Sequence, residues 1–164
     1  RFPLLKDFSA AEVRELFATA VEQRLAPGAF ICREGEPGGS LYFVVSGQVE
    51  VSKKMQGGTS LAITQLSDGA LLGELSWITG APYSASVQVS QDAVVVCLDG
   101  AELTQQLRKN PTGGVKFMTA LLQLLAGRLV RMNDQMLESQ AKLDGQKKGE
   151  IERLRERILR DWSF

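Results

Sequence analysis

The stretch 72–87, LGELSWITGAPYSASV, decides the reading of this chain. Gly73 permits a tight backbone turn with no side chain in the way, and Glu74 sets a carboxylate directly after it. Residues 75–79 suit a short helical turn whose first N–H groups lack partners inside the helix, so they are donors for an anion. A phosphate at such a turn is usually gripped by a guanidinium as well, because its fork of donors matches the oxygens. Between residues 61 and 98 there is no arginine or lysine, so an anion received here meets no local cation.

Outward from that stretch, short β-favouring runs alternate with glycine-rich turns. Strands are expected near 29–33, 41–46, 48–53, 61–66, 70–72, 84–89 and 93–98, with Gly57 and Gly58 at a hairpin tip. Residues 48–52 alternate as a half-exposed strand does, whereas 41–45 and 94–98 are continuous apolar runs that require burial on both faces. Many short strands with regular turns predict a mostly β fold with flanking helices, a double-stranded β-helix or jelly-roll-like β-roll over about 28–99.

Helices flank this roll. Ser9 and Glu12 form a capping box, and Val13, Leu16, Phe17 and Ala20 follow at helical spacing, predicting a helix over 10–23. Asp99 and Glu102 form a second box, opening a short helix over 100–108 that Asn110 and Pro111 interrupt. A long helix is expected over about 112–143. Along it Val115, Met118, Leu122, Leu125, Leu129, Met132 and Met136 recur at alternating spacings of three and four, and Leu143 returns to the same seam. This is a coiled-coil pattern, read as the contact with a second copy of the chain; the alternative is a stripe that covers the chain's own core. Gly145 and Gly149 are expected to break the helix. The charged tail 144–164 places Ile151, Leu154, Ile158 and Trp162 roughly on one stripe, either a solvated helix packing back or a link to a further domain.

Composition removes several functions. The chain contains no histidine, which takes away the commonest metal ligand and the commonest general base together, so no metal site and no catalytic residue is expected. Cys32 and Cys97 sit in apolar strand-like runs, as inert thiols do, and two cysteines are too few for a four-cysteine iron–sulfur cluster. Ser84 and Ser86 have no base to activate them; the chain reads as a non-enzyme. Nineteen basic and nineteen acidic residues give zero formal charge, so no net field draws it to nucleic acid or an anionic membrane. With no apolar stretch of roughly eighteen residues expected and no signal pattern in RFPLLKDF, the protein is expected to be cytoplasmic and away from the membrane. Arg1 in place of a methionine points to a piece of a longer protein.

The stretch 31–47, ICREGEPGGSLYFVVSG, adds a second ordered set of positions: a glycine at Gly35, an acid at Glu36, a small residue at Gly38, the apolar run 41–44, and Gly47. Together with 72–87 it resembles the cyclic nucleotide-binding domain family, the effector fold of the catabolite activator protein and of kinase regulatory subunits. The resemblance covers about residues 1–143. It implies that Glu74 meets a ribose hydroxyl, that Gly73, Leu75 and Ser76 make close backbone contact, and that Ser84 meets a phosphate oxygen. It also implies that the long helix is a dimer helix and lid, with Asn133 nearest a base. Tyr83 stands where the family has its phosphate-binding arginine, and Trp77 where the family has a smaller aliphatic residue. Both departures are expected to bear on ligand identity.

These features predict a dimeric regulatory or sensor module for a cyclic nucleotide or related phosphorylated small molecule, with weakened or altered preference. A ligand-free structural dimerisation domain is the alternative, with Glu74 merely capping local donors. A third possibility is the effector domain of a longer transcription regulator or signalling protein. Residues 144–164 are too few for a helix-turn-helix and form no basic face, so no nucleic acid is expected to bind this chain itself.

Overall fold

The computed structural model describes residues 2–161, apart from the side chains at 155 and 157–161. After a 3₁₀ turn at Pro3–Leu5, helix α1 spans Ala10–Leu16. Its capping box forms as read: the Ser9 hydroxyl accepts from the Glu12 N–H at 3.3 Å, and the Glu12 carboxylate accepts from the Ser9 N–H at 2.6 Å. The helix stops well short of residue 23. Its last apolar residues are already covered, Leu16 being buried and Phe17 meeting the Phe43 ring edge-on at 4.9 Å. The segment Val21–Leu25 is strand β1 instead, paired residue for residue with a later strand from Val21↔Cys97 to Leu25↔Ala93. Long-range sheet pairing overrode a local helical period.

The roll comprises β1, β2 (Phe30–Cys32), β3 (Ser40–Lys54), β4 (Ser60–Ser67), β5 (Leu71–Leu72) and β6 (Ser86–Asp99). All pairings are antiparallel, in the order β1-β6-β3-β4, with β2 against β6 and β5 against β3. Four of the expected strands are in fact two. The runs 41–46 and 48–53 join as β3, and 84–89 joins 93–98 as β6, starting at Ser86. Gly47 joins the first pair: its φ is +97°, and a Cβ there would lie 2.2 Å from the Asp92 carbonyl oxygen. The β3–β6 register shifts on both sides of it, so the glycine bends the strand through a bulge without ending it. Leu41, Phe43, Val44, Val49, Val95 and Leu98 are wholly buried between the layers.

Three helices complete the chain: α2 (Glu74–Thr79), α3 (Gly100–Lys109) and α4 (Pro111–Asp161). Asp99 caps α3 by accepting from Ala101 and Glu102 N–H groups, and the Asn110 side-chain oxygen accepts from the Gly113 N–H at the start of α4. Helix α4 runs through Gly145 and Gly149 unbroken, contrary to expectation. An isolated helical glycine costs only about 1 kcal/mol relative to alanine, and strong helix formers surround both. Ile151 and Leu154 are exposed; the rest of that expected stripe, Ile158 and Trp162, lies outside the described side chains. By length and composition alone, the part of α4 spanning Pro111–Leu154 is apolar enough to cross a membrane, which corrects the sequence expectation on that point. The chain divides into two compact units after Ala120.

Candidate functional site

The cassette lies where β5 turns into α2. Gly73 adopts φ +81°, and a Cβ there would sit 2.2 Å from the Ser40 carbonyl oxygen, so only glycine fits. The turn leads into α2 with Glu74 and Ser76 buried and Leu75 and Ile78 exposed. The Ser76 hydroxyl donates to the Ala81 carbonyl, and a Cβ on Gly38 would fall 1.6 Å from the Ser76 oxygen. The small residue at position 38 is therefore what lets the start of β3 close on α2. Gly80, also left-handed, ends the helix with its N–H on the Ser76 carbonyl.

Tyr83 returns the chain to the roll. Its N–H donates to the Glu36 carbonyl at 3.1 Å, and its carbonyl accepts from the Gly35 N–H at 2.9 Å. These two bonds fasten the second sequence signature to the first. The Tyr83 ring is 9 % exposed and belongs to the core cluster with Val44, Val49, Leu72, Val87 and Val95. One ring edge lies 3.5 Å from where a Gly73 Cβ would be. The Tyr42 pKa is pushed well above the ordinary tyrosine value, by burial first and by the Tyr83 side chain second. Tyr42 stands opposite both Leu72 and Cys97 in the sheet.

The thiols complete the interior. Burial pushes Cys32 up to about 11, and the carboxylates of Glu36 and Glu74 push the same way. Cys97 is likewise raised by burial, opposed by hydrogen bonds from Ser40 and Tyr42. At neutral pH both are thiols, not nucleophilic thiolates.

Of the sequence-selected residues, Gly73, Glu74, Ser76 and Tyr83 converge, while Leu75 and Ser84 are exposed on the outer side of the same segment. Asn133 is exposed on α4, in the second compact unit. The seam residues Met118, Leu122, Leu129, Met132 and Met136 are exposed, and Leu125 is half-buried. Trp77 reaches the helices that follow the roll. Its indole N–H donates to the Gly100 carbonyl at 3.0 Å and to the Thr104 hydroxyl at 3.2 Å, and its ring meets Phe117 edge-on. It bears on the attachment of α2 to α3 and to the start of α4. Sequence reasoning missed Tyr42, because Tyr83 lies forty-one residues away and only the packing of the core cluster brings them together.

Known proteins share the family and the fold. The model of the cyclic nucleotide-binding domain matches residues 22–110. A cyclic nucleotide-binding domain from Methylobacillus flagellatus superposes with a TM-score of 0.76 at 33 % identity, over 81 % of this chain and 75 % of that one. The catabolite activator protein of Thermus thermophilus superposes with a TM-score of 0.71 at 28 % identity, over 83 % and 62 %. A cyclic nucleotide-gated potassium channel of Mesorhizobium japonicum is 30 % identical over 109 residues, 66 % of this chain but 29 % of the channel. The chain therefore spans less than a third of that relative. With the matched span running from β1 through the cassette to the end of α3, this chain belongs to the cyclic nucleotide-binding domain family.

Proposed function

We propose that this chain is the cytoplasmic sensing module of a longer regulatory protein, paired with a second copy through α4. Its cassette takes common cyclic mononucleotides weakly, or takes a differently substituted phosphate ligand in their place. The residue that carries this is Tyr83: by the sequence resemblance it takes the place of a phosphate-binding arginine, and its ring is packed inside the roll beside Gly73. Removing one partner of a buried, hydrogen-bonded charge pair costs about 2–5 kcal/mol. That lowers affinity by roughly thirty-fold to several thousand-fold. The intact Gly73 turn and buried Glu74 support a cassette still shaped for a ligand. The exposed seam from Met118 to Met136 supports pairing, since isolated chains rarely leave such a stripe in water.

A second reading is favoured by one specific contact. The Tyr83 ring packs in the core cluster with Tyr42 against it, so the side chain is accommodated within the roll without a guest. In that reading the module pairs chains and senses nothing. A thermal-shift panel of cyclic mono- and dinucleotides on the protein and on Tyr83→Arg separates the two, because a ligand that binds only the folded state raises its stability by about 2.7 kcal/mol at a hundredfold excess over Kd. The sensing reading expects cyclic AMP to stabilise Tyr83→Arg strongly and the parent little. Low-micromolar binding of cyclic AMP by the parent refutes the altered preference, and silence of both proteins toward every compound favours the structural reading.

A further inference from the structure

We infer that the joint between α1, α3 and the start of α4 is a binding site for a small primary ammonium, separate from the cassette and independent of how the cassette is read. A cavity of about 20 Å³ opens there, room enough for one water-sized group. Its wall includes Phe8, Glu12 and Glu15 on the α1 side and Gln106, Leu107 and Gly114 on the α3–α4 side.

Three features of this wall call for a hydrogen-bond donor that carries positive charge. The Gln106 side-chain oxygen is buried and has no hydrogen-bond partner among the described residues. Leaving a buried acceptor unpaired is costly, so such an oxygen marks a place where a donor belongs. The Leu107 carbonyl is the second feature. The residue four positions on is Pro111, which has no N–H to complete the helical bond. Gly114 keeps that oxygen uncovered, since a Cβ there would stand 2.8 Å from it. The third feature is charge. Lys116 meets the Glu12 carboxylate at 3.0 Å and lies over the Phe8 ring, whereas Glu15 is exposed and forms no ion pair among the described residues. Two carboxylates against one ammonium leave the wall with a net negative charge.

An anion finds little here, because the Gly113 and Gly114 N–H groups at the start of α4 are already taken by the Asn110 side-chain and backbone oxygens. Water would meet the acceptors and leave the charge unanswered. A primary ammonium supplies three donors and one positive charge in a compact head.

Thermal unfolding of the whole chain in methylammonium chloride, compared with potassium chloride at equal ionic strength, tests the site. Potassium matches the charge and donates no hydrogen bond. Methylammonium is expected to raise Tm by about 3–5 °C at tenfold over its Kd, and tetramethylammonium, which has no N–H, to give no rise. Amide NMR signals are expected to shift first at Gly113 and Gly114, with β3 unmoved. Gln106→Leu deletes the buried acceptor and is expected to weaken binding about tenfold; Glu15→Gln deletes an exposed charge and is expected to weaken it by up to about fivefold. Equal melting in methylammonium and potassium overturns the site, as do amide shifts that gather elsewhere. A rise that survives unchanged in both variants is a bulk salt effect and overturns it equally. Should a variant fail to fold, the parent's amide shifts still decide, because they locate the bound amine without any substitution. No arm uses a cyclic nucleotide, so failure here leaves the cassette reading untouched.

Discussion

In β3, Leu41, Phe43, Val44 and Val49 are wholly buried, while in α4 Leu122, Leu129, Met132 and Met136 stand 60–72 % exposed. Both segments carry apolar residues that call for burial. The strand finds its cover inside the chain, through pairings with β6 that reach across some fifty residues of sequence, as in Phe43↔Val96. The helix has the period and no such cover along its exposed seam. An apolar pattern thus states a demand for burial, and only the fold shows whether one chain meets it.

The largest effect is expected where the demand is unmet. Leu129→Glu removes one leucine from the seam of each copy, at about 1.5–3 kcal/mol apiece. The dimer is expected to weaken by roughly a hundredfold to ten-thousandfold in sedimentation equilibrium, with the circular dichroism of the roll preserved. A parent protein that sediments as a monomer at tens of micromolar breaks the comparison outright.

Next comes Phe43→Ala, in the region where the demand is met. Phe43 holds the edges of both Phe2 and Phe17, at 5.3 and 4.9 Å, and its loss is expected to cost about 3–5 kcal/mol in urea unfolding. A loss below about 1 kcal/mol, within the range of ordinary surface changes, means the roll is less tightly packed than these contacts imply.

The smallest effect concerns the joint between α1 and the beginning of α4. The Lys116 ammonium sits 3.0 Å from the Glu12 carboxylate and lies over the Phe8 ring. The Ser9 backbone N–H, then this lysine, lower the Glu12 pKa from 4.5 to about 2. A depressed carboxylate contributes stability that is present above its unfolded value and lost as pH falls through the folded one. Melting temperature is therefore expected to fall between pH 4.5 and 2 more steeply in the parent than in Glu12→Gln. Parallel acid limbs in the two proteins would show that the pair contributes nothing.

Much of this was legible in the chain. The Ser9–Glu12 box, the glycine at 73, the small residue at 38 and the heptad run all carry local rules that do not depend on distant partners. The failures share one cause. Residues 21–23 are expected at the end of a helix yet pair with β6 in the sheet, and the joined strands at Gly47 depend on how closely Asp92 approaches. Trp77 was visible as a departure, but its indole partners at Gly100 and Thr104 lie more than twenty residues on and obey no spacing rule.

The sequence by itself determined the roll, its cassette and the absence of a local cation, because glycine placement, alternation and residue type act through neighbours a few positions away. Tertiary structure alone decided that Tyr83 would pack inside the roll and that Trp77 would turn toward the helices. Those choices depend on which side chains long-range strand pairing and helix packing bring within hydrogen-bond reach, and no local pattern encodes that distance.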